Sequence, residues 1–310
     1  MRYPGRRFSI PRLCTSLAPS MSNDEDAAEV LQLVADSRLT GYLAAASVCI
    51  LIYDHIACIP DEVEHMWKSR WGVAKIVYLW NRYFSLIVIS LNMSVIVRDI
   101  GSSDVCIGWL RVQGSASTVV IATIDFVLML RVWILYRRQR WTVYFFVFLG
   151  SVEVVTMIII DLVAFAQMKE YVHLGSIIKG CYAYNVPRIL SVYAAAPLLV
   201  TFIMFIMTLY QCSLTMYRTD HRVMPLWMLF LRDGVVWFVL VFAAGGSELL
   251  IWSTRRETLK QLLLVPALVV YSTVASRSLL NIKKVMSYEA GEEEIGGIST
   301  GAADSIVFVS

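Results

Sequence analysis

The sequence predicts an all-α fold: a polytopic membrane protein built as a seven-transmembrane helix bundle, with its N-terminus outside. Three observations carry this. Of the 310 residues, 58% are hydrophobic and only 16% charged, against about 45–50% and about 25% in soluble domains. The apolar residues gather into seven runs, each about as long as or longer than the roughly 20 helical residues that cross about 30 Å of hydrocarbon. The lysines and arginines between the runs are unevenly shared between the two sets of loops. With a mean hydropathy of +0.64, the chain has too few polar side chains to cover the surface of a soluble protein of this size.

Residues 1–38 are polar, basic at Arg2, Arg6, Arg7 and Arg12, then acidic around Asp24–Asp26. No apolar core of a secretory signal follows the basic start. This segment is expected to be a disordered tail, and Met21 offers an alternative start. The first span is Leu39–Cys58, followed by a loop, Ile59–Gly72, with charges of both signs and two tryptophans, residues that favour the membrane boundary. The second span is Val73–Val97. The third, Trp109–Tyr136, is an apolar stretch longer than the hydrocarbon core needs, broken only by Arg111, Asp125 and Arg131. It ends in the basic cluster Arg137-Arg138-Gln139-Arg140 and is read as the central helix.

The fourth span is Trp141–Met168. A longer polar loop with Cys181 leads to the fifth, Ile189–Tyr217, which carries no charge and is interrupted by Pro197, a source of a kink. Arg218–Asp233 is read as a loop with a short amphipathic piece, Leu226–Leu231. The sixth span is Gly234–Trp252 and the seventh Gln261–Leu280. The membrane domain thus covers residues 39–284, and the acidic, glycine-rich segment 285–310 is expected to be disordered.

Lys68, Arg70, Arg137, Arg138, Arg140, Arg218, Arg222, Arg232, Lys283 and Lys284 fall on one side of such a bundle. The other side holds Arg98, Lys169, Lys179, Arg188, Arg255, Arg256, Lys260 and the N-terminal tail. The richer side is expected to be cytoplasmic. The cysteines agree. Cys106 and Cys181 both fall in outer loops, and a disulfide between them, which needs an oxidising compartment, is favoured over two unpaired thiols. Cys58 and Cys212 lie near inner ends, where packing is favoured over lipidation.

Ionisable groups in lipid face the bundle interior or snorkel to the boundary. Asp54, Asn81, Arg82 and Asp125 are expected to form one paired cluster in the inner half. Arg131 and Arg277 stand closer to the inner boundary, where long side chains reach the headgroups. Glu153 has no cation at its depth, leaving a neutral carboxyl or a hydrogen bond to Thr156 or a neighbouring helix. Such a network reads first as a static device that sets helix register, and second as a polar switch or an ion path. Asn92-Met93-Ser94 is a formal glycosylation sequon inside the second span, out of reach of the modifying enzyme.

Catalytic signatures are absent: there is no HExxH, no G-x-S-x-G and no Walker loop. The four histidines are scattered, the cysteines show no metal spacing, and the seventh span has no interior lysine for a retinal Schiff base. No enzyme activity, cofactor or metal is expected. A net charge of +3 gives no reason to expect nucleic acid as a partner.

Two resemblances add to this reading. Tyr53-Asp54-His55, Asp61-Glu62-Val63-Glu64, Trp67-Lys68-Ser69-Arg70-Trp71, Lys75 and Asn81-Arg82-Tyr83 resemble the opening of a membrane family of mushroom-forming fungi, domain of unknown function 6533. Leu231-Arg232-Asp233-Gly234 and Ser276-Arg277-Ser278-Leu279-Leu280-Asn281 are similar to later parts of the same family. The resemblance implies seven helices and no assigned activity. The layout is also similar to rhodopsin-like G protein-coupled receptors: an outer N-terminus, cysteines at the outer end of helix three and in the second outer loop, and an arginine, Arg131, at the inner end of helix three. Here Leu130 replaces the acidic neighbour of that arginine, and the proline motif of helix seven is missing. That similarity therefore implies a layout and leaves G protein coupling unsupported.

The functional expectation is a receptor-like sensor of the plasma membrane. It would take an outer ligand among helices three, five, six and seven. A cytosolic protein would meet an inner face that includes Arg131, Arg137, Arg138, Arg140, Arg232, Asp233 and Arg277. The alternatives are a transporter or proton-coupled carrier using Glu153, Asp125 and Arg82, and a structural scaffold.

Overall fold

Among the described residues, seven helices are long and apolar enough to cross a membrane. A computed structural model describes residues 24–69, 71–98, 103–136, 139–167, 171–172, 181–183, 190–218, 225–253 and 259–296. The helices are α1 (Asp24–Glu62), α2 (Val73–Val97), α3 (Ser103–Leu135), α4 (Arg140–Gln167), α5 (Leu190–Arg218), α6 (Pro225–Ser253) and α7 (Leu264–Gly296). Among the described residues the bundle is all-α apart from one small antiparallel pair, β1 (Tyr171–Val172) and β2 (Tyr182–Ala183), with Tyr171 opposite Ala183 and Val172 opposite Tyr182.

Burial identifies two central helices. In the most apolar window of α3, 61% of residues are buried, and in that of α7, 72%, against 22–33% in the other five. α3 packs on α2, α4, α5 and α7, while α7 packs on α1, α2, α3 and α6. The outer faces of the remaining helices stay apolar: Tyr144, Phe148 and Leu162 on α4 and Tyr42, Tyr53 and Ile56 on α1 are all exposed. Polar residues such as Asp54, Asn81, Arg82, Ser117, Asp125 and Ser276 are buried. An apolar outside around a polar interior is the arrangement lipid demands and water would not tolerate.

The helices outrun several expected boundaries. α1 begins at Asp24, inside the segment expected to be a disordered tail, and passes through Pro60 to Glu62, continuing as a π-helical turn, Val63–Trp67. The expected loop 59–72 therefore shrinks to its last residues. Pro60 removes one i→i−4 hydrogen bond, and side-chain anchors hold the π-helical turn in place. Met66 is fully buried, Trp67 donates its indole N–H to Glu62, and the Lys75 Nζ of α2 donates to the carbonyls of Trp67 and Ser69, both at 2.9 Å. A buried lysine thus caps the free carbonyls that end the preceding helix. α6 starts at Pro225, a residue suited to a first helical turn, so the expected amphipathic piece is continuous with the sixth span. α7 runs on to Gly296 through part of the expected acidic tail, where Met, Ala and Glu favour helix.

At the end of the bundle where α3 begins, Cys106 is bonded to Cys181 beside β2, with Cα atoms 5.6 Å apart. The bond ties the α4–α5 connection to the start of α3, and β1 also packs on α3.

Candidate functional site

α3 buries Ser117, Thr118, Ile121, Ile124, Asp125 and Leu128 along one stripe, at helical spacing. Beside this stripe α3, α5, α6 and α7 enclose a cavity of about 20 Å³, walled by Asp125, Tyr193, Thr201, Glu248 and Tyr271 among apolar side chains. That is room for a single water, which needs about 10–15 Å³. Asp125 is 2% exposed; its Oδ1 accepts from the Thr201 hydroxyl at 3.2 Å, and its Oδ2 has no partner. Glu153 lies against Asp125 from α4, is equally buried, and leaves its Oε1 unpaired. The carboxyl of Glu248 reaches the cavity from α6, beside Tyr193 and Tyr271.

A second polar line runs away from the cavity. Thr118 donates to Asp161 at 2.9 Å, so the Tyr193 hydroxyl, 2.8 Å from the Thr118 oxygen, is the donor to Thr118. Pro197 lines the cavity and supplies no N–H to the carbonyl one turn earlier, that of Tyr193. Gly245 lets α6 pass close to Tyr271: a Cβ there would stand 3.1 Å from the tyrosine oxygen and 3.3 Å from Leu198. The whole region offers carboxyl, hydroxyl and carbonyl oxygens, and among the described residues no ion pair reaches its acids. It is chemically suited to a group that donates hydrogen bonds or carries positive charge.

The opposite end of the bundle is organised differently, with its acids paired. Arg82 Nε meets Glu62 Oε2 at 2.8 Å, and its Nη2 donates to the His55 carbonyl at 2.7 Å. Glu62 Oε1 accepts from Trp67 at 3.1 Å and Tyr83 at 3.5 Å. Asp54 Oδ1 accepts from Arg277 Nε, and Asp61 Oδ2 from Lys284, each at 2.7 Å. Asn81 donates from α2 to the Ser272 carbonyl at 2.9 Å and the Ser276 hydroxyl at 3.0 Å, both on α7. Arg131 is buried and donates to Ser278 at 3.1 Å, and Gly234 of α6 comes close enough that a Cβ there would stand 3.2 Å from its Nε and Nη2.

Most of the network at this end is built from one stretch of sequence, the second half of α1, the π turn and the start of α2, closing on α7. The same stretch is matched in comparison with known families. Residues 42–87 match the family of unknown function DUF6533. The match covers Asp54, Asp61, Glu62, Asn81 and Arg82, whose side chains hold α1 and α2 to one another and to α7. Comparison with curated proteins gives no match.

The expected single cluster is therefore two. Asp125 and Glu153 come together, as do Asp54 with Arg277 and Asn81 with α7, but Arg82 pairs with Glu62 and not with an acid of α3. Thr156 bonds its own helix, at the Val152 carbonyl, and does not meet Glu153. Arg131 is turned inward and does not reach for headgroups. Arg277 is partly exposed, yet it is held by Asp54. Arg140 is exposed at the start of α4. Arg137 and Arg138 lie outside the described residues, as do the side chains of Arg232 and Asp233. Sequence reasoning missed Glu62, which it placed in a loop. It also missed Glu248, Tyr193, Thr201 and Tyr271 as a set; a glutamate late in an apolar span was the available signal.

Proposed function

We propose that this integral membrane protein is a receptor-like sensor whose ligand is read at the cavity between α3, α5, α6 and α7. The observation that carries the reading is the cavity wall: Asp125 and Glu248 converge there from different helices, and Asp125 Oδ2 is left without a partner. Unsatisfied buried acceptors cost about 1–3 kcal/mol each, and a ligand that supplies donors recovers that. The cavity holds only a water-sized group, so a larger ligand enters by parting α5 and α6 around Pro197 and Gly245.

The same two central helices offer the route to the far end. Arg131 lies six residues beyond Asp125 on α3, and Ser278 seven beyond Tyr271 on α7, each roughly 10 Å along its helix. Their mutual hydrogen bond and the Gly234 contact of α6 are the elements a rearrangement would reset. The Cys106–Cys181 bond and the basic loops support an orientation with the cavity toward the outside of the plasma membrane and Arg140 toward a cytosolic partner. No catalytic role is part of this reading. The test is a screen of amine and other donor-bearing ligands on purified protein, with cytosolic pull-downs at each ligand. Partner capture that never changes with any ligand, or changes equally in Asp125→Asn, refutes the proposal.

A second reading rests on the Asp125–Glu153 contact: two buried acids with no ion pair among the described residues suit a proton-coupled carrier. Solute flux in vesicles that collapses in Glu153→Gln supports it, and a variant that matches the parent removes it.

A further inference from the structure

α1 and α6 flank α7 without substantial packing between them. Between them, at the end of the bundle that holds the ion pairs, is a cavity of about 460 Å³. Its lining is divided by chemistry. Ala57, Cys58, Val236, Trp237 and Leu280 form an apolar wall, and Asp61, Arg277, Asn281 and Lys284 form a polar rim. Every one of these residues lies within a few turns of the end of its span, which is the depth where acyl chains give way to headgroups.

The Arg277 side chain is 44% exposed and uses its Nε on Asp54, at 2.7 Å. Its two Nη groups have no partner among the described residues. A guanidinium held from behind by a carboxylate, with its outer fork open, is shaped for a phosphate, which it can grip with two parallel hydrogen bonds. Lys284, bonded to Asp61 at 2.7 Å, completes the polar rim.

We infer that the α1–α6–α7 crevice binds one anionic phospholipid, its phosphate on the Arg277 Nη groups and its glycerol and upper acyl carbons against Trp237, Val236 and Leu280. An amphiphile fits where a soluble anion does not, because about half of the lining residues are apolar. Anionic lipids gather on the cytoplasmic leaflet, which is the side that the basic loops favour. This inference is independent of the sensor reading, since none of its residues lines the α3–α5–α6–α7 cavity.

Native mass spectrometry of the detergent-solubilised full chain tests it, with phosphatidylserine, phosphatidylglycerol or phosphatidylcholine added in turn. The expected result is one retained anionic lipid per chain, held at least tenfold more tightly than phosphatidylcholine and not displaced by millimolar glycerol phosphate. Arg277→Gln should lose that preference, and Arg277→Lys should keep part of it. Because Arg277→Gln leaves Asp54 unpaired, Asp54→Asn with Arg277→Gln serves as the folded control and should also lose the lipid. Equal retention of phosphatidylcholine, full competition by glycerol phosphate, or an unchanged anionic adduct in the double variant each overturns the inference.

Discussion

Arg82 Nε and Glu62 Oε2 stand 2.8 Å apart, with side chains 2% and 3% exposed. The pair joins α2 to the last residue of α1, just beyond Pro60, and the adjoining π turn returns Trp67 to the same glutamate. Removing one member leaves an uncompensated charge, at a cost of about 3–5 kcal/mol, whereas replacing both by apolar residues of similar volume is far milder. Glu62→Gln and Arg82→Met should each lower the thermal midpoint in detergent sharply, while Glu62→Leu with Arg82→Met should recover most of it. Additive losses would mean that the two residues act separately.

The Cys106–Cys181 bond closes a long segment containing all of α4. Cys106→Ser, Cys181→Ser and the double variant should therefore lose the same stability, about 2–5 kcal/mol. On whole cells a membrane-impermeant maleimide should label both positions only after reduction. Labelling without reduction would refute the bond, and labelling only after the membrane is opened would reverse the orientation.

Gly245 and Tyr271 make a close contact that one added carbon would violate, since a Cβ at 245 falls 3.1 Å from the tyrosine oxygen. Overpacking of this kind costs about 1–3 kcal/mol. Gly245→Ala should destabilise by that amount, and Tyr271→Phe in the same chain should return much of the loss by deleting the atom in the way. If the double variant is no better than Gly245→Ala alone, the obstruction is Leu198 and not the hydroxyl.

The features legible in advance were those set by solvent. Hydropathy located seven spans, and the loop cysteines located the bond, because lipid and redox compartment act on residue type alone. α3 proved central as expected, yet α7 is still more buried, and its modest hydropathy conceals this: Ser272, Ser276 and Ser278 serve the bundle interior. Pairings were less legible because a charge in a span gives depth but not the direction it faces. Arg82 and Asp125 were both placed in the inner half, yet the loop expected from Ile59 onward is helix as far as Glu62, the residue that Arg82 pairs with. Arg131 was given to the headgroups because length permits snorkelling, and only the approach of Gly234 and Ser278 shows it turned inward.

Asp54 and Asp125 are both buried aspartates, and their environments differ enough that the same substitution should act in opposite directions. Asp54 holds Arg277 at 2.7 Å, so Asp54→Asn strips a cation of its partner and should destabilise. Asp125 accepts from the Thr201 hydroxyl, its Oδ2 has no donor, and the Glu153 carboxyl lies against it beside the cavity. An amide there can donate as well as accept beside the Glu153 carboxyl, so Asp125→Asn should raise the ligand-free thermal midpoint by a few degrees, the effect of about 1 kcal/mol. The same variant should lose the ligand response, since the acceptor that the ligand would satisfy is gone. Thermal unfolding and partner capture, measured on both variants with and without ligand, separate a site kept strained for binding from a purely structural polar core. In the structural case Asp125→Asn would fall in stability as Asp54→Asn does, and the cavity would have no claim to be a sensor.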